Sequence, residues 1–107
     1  EKVVEDENET SLYVDFERIK QHDGYVYYWD LVDYVKPSSD GFLSGTIYNQ
    51  VDCSLFRLKR LSVILYKESM GQGESESFTP TDKWYYPPPN SPMETILQSV
   101  CEFVKDK

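Results

Sequence analysis

Basic residues are scarce in this chain of 107: 11 Lys plus Arg stand against 19 Asp plus Glu, a formal net charge of -8. A surface with that balance repels phosphates, so nucleic acid and anionic membrane are excluded as expected partners, and proteins, glycans or small molecules remain. No run of about 18 apolar residues occurs, so no transmembrane span is expected in the chain. Histidine is almost missing. His22 stands alone, and any Ser-His-Asp or Cys-His mechanism would have to use it, yet it sits in the turn signal KQHDG, where exposure is the ordinary outcome. One His and two distant Cys do not supply the four close-set ligands of a structural zinc, so neither a metal site nor a cofactor is expected. Gly-rich phosphate loops, HExxH and nucleophile elbows are absent too, which leaves an enzyme as the weakest reading. Glu1 in first place, where Met might stand, fits a chain processed on export and equally a truncated one.

Aromatic residues are abundant, 15% with nine Tyr, five Phe and two Trp, whereas the helix formers Ala and Leu are sparse. That bias favours strands, and the length suits one domain. Residues 1–9, EKVVEDENE, read as a flexible acidic lead-in, with a single domain over 10–107. Asn8-Glu9-Thr10 matches a glycosylation pattern that would matter only in a eukaryotic secretory chain. TSLYVDFERI alternates Leu12, Val14 and Phe16 with polar neighbours, and after the QHDG turn YVYYWDLVDYV runs to the break at KPSSDG, so these two strands predict a hairpin. LSGTIYNQVDC and LFRLKRLSVILYKE follow as one bent strand or a tight pair. SMGQGESES reads as a hairpin tip, SFTPTDKWYY as an edge strand containing Pro80, and the triple proline 87–89 as an extended connector.

The period changes at the C-terminus. Ser91 stands three residues before Glu94 as a capping box, Pro92 suits the first helical position, and Met93, Ile96, Leu97, Val100, Cys101 and Val104 recur at three and four. A helix from about 92 to 104 is expected. The fold class is therefore α+β, an antiparallel sheet of about five or six strands with one C-terminal α-helix packed on it through Met93, Ile96, Leu97 and Val100.

In the aromatic strand, Tyr25, Tyr27 and Trp29 project to one side and Val26, Tyr28, Val32 and Tyr34 to the other. One side should pack under the helix. The other is either covered by a sheet that curls on itself or left open as an aromatic surface, and in that case Tyr25, Tyr27 and Trp29 are the candidate binding surface. Asp30 and Asp33 read as strand-face or edge charges.

Cys101 falls on the apolar helix face and Cys53 at a strand end, so helix-on-sheet packing could bring them together. A disulfide is the simplest use for an even count in a small chain, and it would imply an oxidising compartment; two buried free thiols are the alternative.

The series VDC, an apolar-basic strand, a Gly-containing loop, Trp shortly before PPPNS, and a helix ending ILQSVC resembles the bacterial surface-adhesin protein E family. Cys53, Tyr66, Gly73, Trp84, Pro89, Ser91 and Cys101 fall in the order of that family's C-terminal half, and YVYYWDLVDYV is similar to its earlier aromatic strand. The resemblance covers roughly residues 10 to 104 and implies an exported domain with Cys53 and Cys101 joined. It also implies a non-enzymatic protein of the periplasm, outer membrane or cell surface of a Gram-negative bacterium. Such a protein acts by binding a host matrix protein, an envelope protein or a second copy of itself. A periplasmic assembly domain whose edge strands pair with another envelope protein is the alternative, and a small-molecule module with a preformed apolar pocket a third.

Overall fold

In a computed structural model describing residues 2–5, 11–34 and 41–105, the chain forms one antiparallel sheet with an α-helix across one face. The strands are β1 (Lys2–Glu5), β2 (Ser11–Val14), β3 (Lys20–His22), β4 (Tyr25–Asp33), β5 (Ser44–Asp52), β6 (Arg57–Tyr66), β7 (Ser75–Phe78) and β8 (Trp84–Tyr85), and the helix is α1 (Pro92–Lys105). The main path runs β1-β2-β4-β5-β6-β7, with β3 added to β4 and β8 to β6. Asn8-Glu9-Thr10, Val35, positions 36–40 of the KPSSDG break, and Lys107 lie outside the described residues.

The α+β class holds, with six strands on the main path and eight among the described residues, because two expected strands are each broken. The first breaks after Val14, where Phe16–Arg18 form a 3-10 turn, so β2 pairs with one half of β4 and β3 with the other. The hairpin at QHDG therefore joins β3 to β4. Its corner residues Asp23 (φ 51) and Gly24 (φ 83) are both left-handed, as a right-twisted two-residue hairpin requires. SFTPTDKWYY is divided in the same way into β7 and β8, which share one side of β6. Pro80, with no N–H for a ladder, lies in the gap. Lys2–Glu5, expected to be frayed, pair antiparallel with β2; the β-branched pair Val3-Val4 gives this stretch of the acidic lead-in strand propensity.

β5 and β6 are a tight pair. Asp52 closes their turn: Ser54 N and Oγ and Leu55 N donate to its Oδ1 at 3.1, 2.7 and 3.3 Å, and Arg57 Nε reaches Oδ2 at 3.1 Å. The Ser54 hydroxyl foremost, then Leu55 N and Arg57, hold this carboxylate below the usual range against the opposing effect of burial. Further along, the register slips between Tyr48 and Asn49, which pair with Ser62 and Arg60, so Leu61 is an extra residue in β6. This bulge exchanges the faces of β6. Leu58 and Arg60 before it share the helix side with Val63 and Leu65 after it.

α1 begins as its sequence dictates. Ser91 Oγ accepts from Glu94 N at 3.2 Å, and Glu94 Oε1 reaches back to accept from Asn90 N at 3.1 Å. Ile96, Leu97 and Val100 are buried against Val14, Val26, Tyr28, Val51 and Leu58, with Met93, Cys101 and Val104 packed around them. Phe103 meets Phe16 of the 3-10 turn at 5.2 Å between ring centroids. Cys53, in the Asp52 turn, is joined to Cys101 on α1 across a Cα separation of 5.9 Å.

Because that bridge closes a span of 48 positions, Cys53→Ser with Cys101→Ser is expected to lower the unfolding free energy by about 4 kcal/mol. Urea denaturation of the two forms measures it. Mass spectrometry after alkylation should find both thiols only once the wild type has been reduced.

Candidate functional site

The face of the sheet opposite α1 carries an aromatic row. Strand alternation directs Tyr25, Tyr27, Trp29 and Leu31 of β4 to this side, and the register sets Tyr48 of β5 opposite Trp29 and Gln50 opposite Tyr27. Tyr48 lies 4.8 Å from the Trp29 ring and 6.1 Å from that of Tyr27, while Tyr25 meets Trp84 of β8 at 5.9 Å. All five rings are half-buried. They pack on one another, so the row is ordered without a covering layer and stays partly open to solvent.

Each end of the row has its own chemistry. At one end, Arg57 Cζ and Lys59 Nζ lie 4.1 and 4.7 Å from the Trp84 ring centroid. Arg57 also donates to the Tyr86 hydroxyl at 3.2 Å, and Lys59 pairs with Asp82 at 2.8 Å. Aromatic rings and bound carboxylates thus hold two cations in fixed positions. At the other end, Trp29 and Leu31 form the floor of an open groove of about 550 Å³ with walls from Tyr13, Ile64, Tyr66 and Met70.

The wall bearing Met70 is a loop fastened by hydrogen bonds to β4 and β5. Ser44, fully buried, donates through Oγ to Glu68 O at 2.6 Å and accepts from Gly71 N at 2.8 Å. Met70 N donates to Asp33 Oδ1 at 2.9 Å. Asp33 therefore fixes a loop. Met70 itself is left-handed (φ 56) and 46% exposed, an apolar side chain displayed at the rim.

On the helix side, Asp30 lies on a strand face, as expected, but is largely enclosed there. Its Oδ2 accepts from Asn49 Nδ2 at 3.2 Å, while Oδ1 is sealed from solvent and no donor among the described residues reaches it. Burial pushes the carboxyl up to about 7, although the Asn49 hydrogen bond and the Arg60 charge act the other way. Tyr28 beside it is likewise raised, by burial and then by the Asp30 charge. His22 is exposed in its turn, 3.1 Å from Asp23. Among the described residues, no cluster of His, Cys, Asp or Glu has the composition to hold a metal ion, and no helix is long and apolar enough to cross a membrane.

The sequence model of the family described as Surface-adhesin protein E matches residues 1–102. This chain belongs to the surface-adhesin protein E family. Solved structures of Haemophilus influenzae protein E share its fold: one superposes with a TM-score of 0.71 at 20% identity, covering 99% of this chain and 87% of that one. Another, a selenomethionine form, gives 0.68 at 21% identity over 94% and 85%, and a third, a second crystal form, 0.64 at 22% over 85% and 80%. No curated protein sequence matches.

In this member of the family, Tyr25, Tyr27 and Trp29 lie on the open face. Tyr48 and Trp84 complete the row and were missed in the sequence: Tyr48 is one aromatic in the polar stretch TIYNQ, and Trp84 acquires its face only through β8 pairing. The Met70 rim has no local signal, since it depends on Ser44 and Asp33 across the sheet.

Asp30 yields a pH prediction. A folded pKa of about 7 above an ordinary 3.8 means the folded state binds the proton more tightly, so its contribution to stability is full below the lower value and is lost as pH rises towards the upper one. The whole shift corresponds to a loss on the order of 4 kcal/mol. In Asp30→Asn that loss should vanish, so the melting temperature of the variant minus that of the wild type is expected to widen steadily between pH 4 and pH 8, as followed by circular dichroism. A gap that stays constant would contradict a raised Asp30.

Proposed function

We propose that this protein is an exported, non-enzymatic component of the envelope or surface of a Gram-negative bacterium that binds another protein through the open face of its sheet. The observation that carries this reading is the half-exposed aromatic row leading from the Arg57–Lys59 end to the Met70 groove, in a chain of a surface-adhesin family. Partly exposed Tyr and Trp beside fixed Arg are the residue types that dominate binding energy at protein interfaces. The rings already contact one another, one pair stacked and two tilted, and two cations lie over Trp84, so fewer ring faces are free for a partner that binds by stacking, such as a nucleobase. The mechanism is surface complementarity without bond chemistry: an exposed His22 and a lone, enclosed Asp30 make no nucleophile–base pair. The disulfide supports an oxidising location.

One observation favours the alternative of an envelope assembly domain. β7 pairs only with β6 among the described residues, all four of its side chains are exposed, and Phe78 is 48% exposed, so this edge can accept a strand from an envelope protein or a second copy.

Binding of purified protein to immobilised extracellular-matrix proteins and to purified envelope proteins, read by surface plasmon resonance, tests the proposal. Tyr25→Ser and Tyr27→Ser together are expected to weaken capture at least about tenfold, as loss of central aromatic anchors does; losing the contacts to Trp84 and Tyr48 also lowers the melting temperature, so capture is read at a temperature where circular dichroism shows the variant folded. Binding that survives this change but is lost on Phe78→Asp would assign the interaction to the β7 edge. Substrate turnover with no binding to either class would overturn both readings.

A further inference from the structure

Under the first turn of α1 the sheet leaves a cleft of about 170 Å³, its apolar walls including Leu12, Ile47 and Ile96 and its polar groups Asp30, Asn49 and Arg60. A cavity of roughly 150 Å³ accommodates one six-membered ring, so the space suits a single compact ring. The polar groups decide its chemistry. Asn49 uses Oδ2 of Asp30, and Oδ1 on the same carboxylate stays enclosed and without a donor. Hydrogen-bond donors satisfy such an oxygen; a plain hydrocarbon ring leaves it unmet. An ammonium group would supply a donor, but Arg60 lines the same cleft and is held there over the Tyr85 ring at 5.3 Å, so it repels a cation.

We infer that this cleft is a binding site for a compact, neutral, hydroxyl-bearing ring of the phenol class, whose O–H donates to Asp30 Oδ1 while the ring packs between Ile47 and Ile96. The site lies on the opposite side of the sheet from the aromatic row and does not depend on the protein-binding reading.

The test is a titration of the isotope-labelled full chain with phenol and, separately, with benzene, at about pH 8, where Asp30 is ionised and Oδ1 is an acceptor while phenol keeps its proton, followed by amide chemical shifts. Phenol should give saturable shifts at Ile47, Asn49 and Ile96 with a Kd between about 0.1 and 10 mM, the range open to so small a ligand, and benzene should bind at least about tenfold more weakly. Asp30→Asn puts an N–H₂ where the acceptor stood if its carbonyl keeps the Asn49 bond. This change should therefore weaken phenol about tenfold and leave benzene unchanged. Equal affinity of the wild type for phenol and benzene would overturn the inference. So would shifts confined to the Tyr25, Tyr27 and Trp29 face, or no saturation through that concentration range, which would leave water as the partner of Oδ1.

Discussion

The Cys53–Cys101 bridge fastens α1 to the turn between β5 and β6, and the orientation of the helix on the sheet follows from that point of attachment. Cys53 is itself immobilised, because Asp52 gathers the backbone and side-chain donors of the following residues into a fixed turn. With Cys101 held there, Val100 and Leu97 fall over Val51 and Leu58, and Phe103 beyond the bridge reaches Phe16. The 3-10 turn that interrupts the first strand thus becomes the far wall of the core. Burial of each large core side chain stabilises the fold by roughly 1.5–3 kcal/mol, and a domain of this size has little apolar area beyond one such layer. The bridge offsets that shortage by restricting the unfolded chain.

One helix covers one face. The other must remain ordered without a second layer, and the chain achieves this with side chains that cover each other: Tyr48 lies between Tyr27 and Trp29, and Trp84 sits against Tyr25 under two cations. The loop after β6 bends back over the remaining apolar floor and is held by Ser44 and Asp33. The same groups that keep this face ordered leave five partly exposed rings and one exposed methionine on it. Order before binding reduces the entropy lost when a partner docks, so a self-packed aromatic face suits recognition as well as stability.

The features legible in the sequence were those set by neighbours along the chain. The capping box at Ser91 and Glu94, the three-and-four spacing of the helix, the Asp23-Gly24 corner and the alternation that separates Tyr25, Tyr27 and Trp29 from Val26 and Tyr28 are all set within a single short stretch of consecutive residues. What escaped was set across strands. LKRLSVILY has no obvious break, yet the extra residue Leu61 reverses its inward face, and only pairing with β5 reveals it. TSLYVDFERI alternates through Phe16 and still stops at Val14, and Phe16 packs on Phe103 from the 3-10 turn instead of from a strand. Asp30 read as a strand-face or edge charge, and its enclosure escaped because alternation gives a face and not a depth.

That carboxyl is also where the fold gives up stability. A protein selected only for stability would carry an apolar residue at position 30, which pairs with Val14 on one side and Ile47 on the other. Keeping Asp there leaves one oxygen unmet and makes the fold less stable as pH approaches neutrality. Asn49 answers one oxygen, Arg60 reduces the electrostatic penalty, and the disulfide and the helix core provide the margin within which the remaining strain is tolerated. An enclosed oxygen without a donor in the chain is completed by a donor from outside it, a water or a ligand hydroxyl, and Asn49 and Arg60 leave the cleft beside Asp30 free for one.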